Sequence, residues 1–293
     1  MKVDLHCHTN ISDCSFSFEV ILEKALKENV SHLAITNHDT TKGLEEMVHL
    51  GKEKGIEIIP GIEISAYDFN RERRIHVLGY FIKHGHPSLE KLCRPLLERR
   101  HDASYVMVQN LIEAGYTISW EQVEEYAKGG TGVYKQHIMH ALIENGYTDS
   151  IYGDLYKKLF SRGQNGEAPG IAFIPVKYVD ARLAIQAIIQ AGGVPVLAHP
   201  GQYKSFEAVP ELVEAGLQGI EVWHPLHGPE DEERAKLCAA HFDLIMTGGT
   251  DFHGFYGEKE VVIGSKDPGI QAVEGLKARG KFLKSSILVE KER

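Results

Sequence analysis

The sequence predicts an α/β fold of parallel β/α units, interrupted once by an inserted helical segment. Three observations carry that expectation. Short Val-, Ile- and Leu-rich runs alternate with helical patterns toward both ends of the chain. The stretch from 88 to 178 does not keep that rhythm. Histidine and acidic residues recur where the apolar runs end, as they would if each strand of a barrel presented its C-terminal end to one shared face.

Taken in order, Lys2 to His6 reads as a buried strand, Ser17 as the cap of an amphipathic helix ending near Asn29, and 32–38 as a second strand. A helix stopped by Gly55 follows, then strands at 56–64 and 74–82. Residues 88–114 form a long helical pattern with an expected kink at Pro95. Ser119 to Gln122 has the form of a capping box, and further helices are expected near 134–145 and 150–161. A Gly-rich loop at 161–170 returns the chain to the main body. A helix at 180–191 ends in Gly192-Gly193 and leads to a strand at 194–199; strand 219–223, a helix near 230–241, strand 244–250 and a helix near 269–279 complete the series. The expected division is a barrel from 1–87 and 179–293, with 88–178 as an inserted helical substrate-binding subdomain.

The chain has 293 residues, with 32 Lys+Arg against 41 Asp+Glu and a formal net charge of −9, which argues against bulk nucleic-acid binding. Hydrophobic residues make up 43%, enough for a large core. No apolar run approaches the roughly 18 residues of a spanning helix, and the first residues lack the apolar stretch of a secretion signal, so a cytoplasmic protein is expected. The four cysteines form no CxxC pair.

Sixteen histidines are the unusual feature. His6 and His8 end the first strand, Asp13 follows it, His38 and Asp39 end the second and Glu63 the third. His76 lies in the fourth, His199 ends the next, Glu221 and His224 flank the end of the one after, and Asp251 and His253 follow the last. A His-x-His pair alone is as often a polar surface as a ligand pair; the joint occurrence at strand ends is what points to metal. Imidazole and carboxylate suit Zn²⁺, Mn²⁺ or Fe²⁺, and a carboxylate such as Glu63 can bridge two ions. His32, His49, His84, His86, His101 and His241 have no such placement and are expected to be solvated.

The runs Asp4-Leu5-His6-Cys7-His8-Thr9, Ser12-Asp13, Ile35-Thr36-Asn37-His38-Asp39, Pro60-Gly61-Ile62-Glu63-Ile64-Ser65, His76-Val77-Leu78-Gly79-Tyr80, Ala198-His199-Pro200-Gly201, Gly219-Ile220-Glu221-Val222 and Thr250-Asp251-Phe252-His253-Gly254 together resemble the PHP (polymerase and histidinol phosphatase) family. Within it the chain is most similar to the stand-alone branch of nucleotide bisphosphate phosphatases and exoribonucleases, which carry a comparable helical insert. The resemblance implies a distorted (β/α)₇ barrel holding two or three divalent metal ions (Mn, Fe or Zn). It places His6, His8, Glu63 and Asp251 on the first ion, Glu63, His76 and His199 on the second, and Asp13, His38 and His253 on the third, with Glu63, His199 and Asp251 as catalytic residues. Asp13 lies on a loop, so the third group is expected to be the most labile.

The implied reaction is hydrolysis of a phosphate monoester or diester of a nucleotide or short 5′-phosphorylated oligonucleotide by a metal-activated hydroxide. Arg99, Arg100, Lys135, His137 and His224 are the candidates for gripping the substrate. Three departures bear on its identity: Cys14 follows Ser12-Asp13 where relatives have Gly, Gln202 follows His199-Pro200-Gly201 where they often have Arg, and Lys135-Gln136-His137 stands where Arg-Pro-His is common. The alternatives are an amidohydrolase-type hydrolase, which normally needs a bridging Lys where this chain has Glu63, a histidinol-phosphate-type phosphatase, and a non-catalytic accessory domain.

Overall fold

The computed structural model describes residues 2–163 and 167–291. The chain runs β1 (Lys2–Asp4), α1 (Phe18–Lys27), β2 (Val30–Ile35), α2 (Leu44–Lys54), β3 (Glu57–Asp68) and β4 (Arg73–Tyr80). Four helices follow: α3 (Pro87–Glu113), α4 (Trp120–Tyr126), α5 (Lys135–Glu144) and α6 (Asp154–Phe160). The rest is β5 (Val179–Asp180), α7 (Ala181–Gln190), β6 (Val194–Leu197), α8 (Val209–Glu214), β7 (Gly219–Trp223), α9 (Pro229–Phe242), β8 (Ile245–Gly248) and α10 (Ile270–Lys291). Helical periodicity explains the outer layer. α1 buries Phe18, Ile21, Leu22 and Ala25 on one face, and α7 buries Ala181, Ala184, Ile185, Ala187 and Ile188. Gly55 ends α2 in the left-handed conformation (φ 80°).

Strand order is β1-β2-β3-β4-β6-β7-β8, with the two-residue β5 paired to β3. One feature departs from the all-parallel expectation. β4 runs antiparallel to both β3 and β6, while the other neighbours along this path are parallel. β3 therefore does not stop near 64. It continues to Asp68 as one arm of a hairpin, with Ser65 opposite His76. Because β4 is reversed, its early residues lie at the end where the other strands finish, which brings His76 to their C-terminal face.

The free edges of β1 and β8 meet just beyond the regular strands. Leu5 N donates to Gly248 O at 3.1 Å and His8 N to Phe252 O at 3.1 Å, with a parallel bridge between Cys7 and Phe252. Asp4 fastens this seam from inside. Its buried carboxylate accepts from His6 N (3.2 Å), Thr250 N (3.0 Å), Thr250 Oγ1 (2.6 Å) and Gly264 N (2.8 Å). Gly249 is required beside it, since a Cβ there would lie 2.3 Å from His6 N.

α3 to α6 have an apolar cluster of their own, formed by Met107, Val108, Leu111, Val123, Ile138, Leu142, Leu159 and Phe160 among others, and Tyr256 from the barrel side packs into it. Ser119 caps α4 by accepting from Gln122 N at 3.1 Å. His86, expected to be solvated, stands at the N-cap of α3 and accepts from Ser88 N.

Asp4→Ala strands buried donors on both sides of the seam. It should cost about 3 kcal/mol or more, and Asp4→Asn less, because an unpaired buried donor costs about 1–3 kcal/mol. Urea unfolding checks this, and a loss under about 1 kcal/mol for Asp4→Ala would show that the seam is held by other bonds.

Candidate metal centre

Glu63 is buried at the middle of the strand ends, and five imidazoles surround its two oxygens. Oε2 lies 3.3 Å from His6 Nε2, 3.1 Å from His8 Nε2 and 3.3 Å from His38 Nδ1. Oε1 lies 2.7 Å from His76 Nδ1 and 2.9 Å from His199 Nε2. Strand alternation sends His6 and His8 to this side and Cys7 to the opposite, fully buried one.

Three groups of side chains are spaced to share a cation: His6, His8, Glu63 and Asp251; His38, Glu63 and His76; and His8, Asp13, His38 and His253. The first has the strongest internal evidence. His6 Nε2, His8 Nε2 and Asp251 Oδ1 are buried with no hydrogen-bond partner. Both nitrogens lie 3.1–3.3 Å from Glu63 Oε2 and from Asp251 Oδ1. Ligands about 2.0–2.2 Å from a shared tetrahedral ion sit roughly 3.3–3.6 Å apart, so the residues fit a metal of that kind. The other two groups differ in detail from expectation. His38 stands with Glu63 and His76 in the second group, while His199 Nε2 shares Glu63 Oε1 with His76 Nδ1, and His38 Nε2 lies 3.9 Å from Asp13 Oδ2. Although it lies on a loop, Asp13 has a buried side chain, 4% exposed against 19% for Asp251.

Neighbours set the orientation of these rings. Glu221 Oε1 is 3.0 Å from His6 Nδ1, which holds that nitrogen as the donor to Glu221 and turns Nε2 toward Glu63, and Oε2 accepts from His199 N at 2.8 Å. Asp39, His199 and Asp251 hold left-handed backbone (φ 58°, 24° and 47°), strain that a packed site supports. His224 lines the cavity over the cluster, with Nε2 3.3 Å from Asp251 Oδ2 and Nδ1 accepting from Leu226 N. His227, which had no signal in the sequence, donates to Val222 O and accepts from Gly201 N, pinning the loop after His199.

The carboxylates are ionised despite their burial. Desolvation pushes Glu63 and Asp251 up, but the surrounding histidines outweigh it and hold both well below the usual carboxylate range. Burial likewise disfavours a proton on His253, yet Asp13 and Asp251 raise it to about 10, and Asp251, Glu221 and Glu63 raise His6. His38, where burial dominates, falls to about 4. Protons on some rings balance the buried negative charge here, and a cation bound at these atoms has to displace them.

A cavity of about 450 Å³ opens over the cluster, lined at one end by Asp13, His38, Glu63, His76, His199, Asp251 and His253. On its walls stand Arg74, Lys135 and Arg162 with Tyr152, Tyr156, Tyr178 and Tyr203. Lys135 is placed there as expected, its Nζ 4.9 Å from the Phe160 ring centre, with its pKa lowered to about 8 by burial and by Arg74 and Arg162. The other basic candidates do something else. His137 Nδ1 accepts from Tyr134 N, closing its own helix start in the insert core. Arg99 is not among the lining residues. Arg100 lines the cavity but is committed to Asp39 (2.8 Å) and Ser65 Oγ (2.9 Å). Arg74 was missed, although its place two residues before His76 on one strand implies a shared face. Arg162 had no comparable signal.

With this geometry in hand, the model of the PHP domain matches residues 4–168. A phosphoribosyl 1,2-cyclic phosphate 1,2-diphosphodiesterase of Eggerthella lenta is 44% identical over 88% of this chain and 96% of its own length. The 5′-3′ exoribonuclease Rnm of Escherichia coli is 31% identical over 85% and 84%. Among solved structures, a protein of Bifidobacterium adolescentis classed as a metal-dependent phosphoesterase superposes with a TM-score of 0.85 at 28% identity, covering 95% of this chain and 96% of that one.

Two outcomes follow from the ring geometry. Glu221→Gln loses the charge that orients His6 and should weaken divalent-metal affinity by about 10–100-fold while melting like the wild type once metal is stripped; unchanged affinity in calorimetry would remove that role. Metal uptake should release protons, so Mn²⁺ affinity should rise between pH 6 and pH 8, and the calorimetric heat should vary with buffer ionisation enthalpy. Affinity independent of pH would show that the rings carry no competing protons.

Proposed function

The chain belongs to the PHP domain family and is a metal-dependent hydrolase of phosphoester bonds; from that premise we propose that its substrate is a small ribose phosphate or nucleotide carrying two phosphoryl groups. One observation carries the reading: a single cavity joins the His and carboxylate cluster to Arg74, Lys135 and Arg162, and among the described residues none of the three has a carboxylate within salt-bridge distance. Cations gathered without a counter-ion are matched by an anion from solution. One phosphate is read as lying at the cluster and the other, unreacted, on these cations. The name of the Eggerthella relative, a phosphoribosyl cyclic phosphate diesterase, supports a substrate of this size; that of the Escherichia relative favours a second reading, the end of a 5′-phosphorylated RNA. The amidohydrolase alternative lacks its usual bridging lysine, since Glu63 stands at the centre.

In this reading His6, His8, Glu63 and Asp251 hold one divalent ion, Glu63 and His76 with His38 or His199 a second, and Asp13, His38 and His253 a third; Mn²⁺, Fe²⁺ and Zn²⁺ all suit this donor set. When bound, such ions supply Lewis-acid charge to a phosphoryl group and lower the pKa of water. The chain's own residues do the rest. Arg74, Lys135 and Arg162 fix the remote phosphate and so orient the scissile ester. Tyr152, Tyr156, Tyr178 and Tyr203 wall the space between and exclude water. His199 has Nδ1 buried without a partner, and although burial disfavours a proton on the ring, Glu63 raises its pKa; where His38 completes the second ion's set, His199 can hold a proton for the leaving oxygen. The helices of 88–178 act as the substrate-binding subdomain.

Lys135→Ala should lower kcat/KM on a substrate with two phosphates by roughly tenfold or more, about 1.4 kcal/mol, and leave p-nitrophenyl phosphate within a few fold. The assay is product formation with Mn²⁺, followed by chromatography, from phosphoribosyl 1,2-cyclic phosphate, adenosine 3′,5′-bisphosphate and a short 5′-phosphorylated RNA. Equal losses on the small ester would place Lys135 in support of the cluster, and preference for a cyclic amide would overturn the phosphoesterase reading.

A further inference from the structure

Resting on the reading of the cluster as a metal centre, we propose that Gln136 and Arg100 are positioning residues, through which the inserted helices hold the His8, Asp13, His38 and His253 group in its ligating arrangement. The members of the first group are held by the barrel itself: Glu63 sits within β3, and Glu221 of β7 orients His6. Asp13 and His38 are placed differently. Each is met, directly or through one intervening hydroxyl, by a side chain from the insert.

Gln136, on the first turn of α5, donates from Nε2 to Asp13 Oδ2 at 3.1 Å and to Tyr152 OH at 3.0 Å. That bond ties up one carboxylate oxygen. The other, Oδ1, is buried and without a hydrogen-bond partner, 3.3 Å from His253 Nε2 and 3.6 Å from His8 Nδ1. An amide donor is suited to this place, because it orients the carboxylate without adding a charge that would compete with a cation.

Arg100, on α3, acts on the second ligand. Its Nη2 donates to Ser65 Oγ at 2.9 Å, and that hydroxyl lies 3.4 Å from His38 Nδ1. Its Nη1 lies 2.8 Å from Asp39 Oδ2, while Asp39 Oδ1 accepts from Ser65 N at 2.8 Å. The guanidinium thus braces Asp39, the residue after His38, which holds a left-handed backbone, and the Ser65 hydroxyl beside His38 Nδ1. The docking is continued by Thr131, whose N and Oγ1 both donate to Ile11 O, two residues before Asp13. The insert therefore does two things at once: it walls the substrate cavity and fixes two ligands of one cation group, so its seating couples substrate binding to metal occupancy.

The test compares the Mn²⁺-loaded wild type with Gln136→Leu, which keeps the bulk but loses the donor, and Arg100→Lys, which keeps a charge for Asp39 but cannot fork to Ser65. Bound Mn²⁺ per chain is counted after gel filtration, affinities are measured by calorimetry, and melting is followed on the chelated proteins. In each variant one equivalent should be lost or bind about 10–100-fold more weakly, with the remaining equivalents and the chelated melting temperature as in wild type. Wild-type stoichiometry and affinity in both variants would overturn the proposal, as would uniform loss of metal with a lowered chelated melting temperature, which would make the residues supports of the fold. A wild-type chain that binds no divalent ion would instead remove the reading on which the proposal rests.

Discussion

A carboxylate buried among imidazoles is the constraint from which the rest of this structure follows. Glu63 is 1% exposed; desolvation pushes its pKa up, but His38, His76, His6 and His199 outweigh it and hold the carboxyl well below its usual range. An isolated ionised carboxylate in such a place would be costly, so positive charge has to be supplied by ring protons or by a cation. Everything around it keeps donors and lone pairs aimed inward: Glu221 on His6, His224 on Asp251, and strained backbone at Asp39, His199 and Asp251. Such an arrangement is unfavourable for stability alone, which is why it reads as a site and not as a core.

The barrel exists to bring these groups together, and two devices make that possible. Reversal of β4 places His76 at the same end as residues that follow the parallel strands. The seam between β1 and β8, with Asp4 accepting from both sides, brings His6 and His8 up to Asp251 and His253 although nearly the whole chain separates them. Without the seam the first and last ligands of the series would sit on opposite free edges.

The insert adds what a barrel end lacks, namely a roof. Its own apolar cluster makes it a firm body, and its polar contacts run to the cluster as well as to the cavity. Lys135 and Arg162 face the cavity with Arg74 of β4, whereas Gln136 and Arg100 turn toward Asp13, Ser65 and Asp39. Neighbouring residues on one short helix, Lys135 and Gln136, thereby turn one to the cavity and the other to Asp13.

Much of this was legible in the residue order. The alternation of apolar runs and helical patterns located the strands and the insert, and the recurrence of His, Asp and Glu at strand ends picked out the members of the cluster, because both signals are local and repeat with the period of the backbone. The direction of β4 was not legible, since a hairpin and a crossover can be built from the same apolar runs. Nor were the roles of the basic residues. Arg99, Arg100, Lys135 and His137 look alike as candidates in sequence, yet the first lies off the cavity, the second is bound to Asp39, the third faces the cavity and the fourth caps its own helix. Composition and periodicity by themselves determined which groups could do the chemistry. Only the tertiary structure decided which of them are free to do it, because a side chain's partner is chosen by residues distant in sequence that packing brings within about 3 Å.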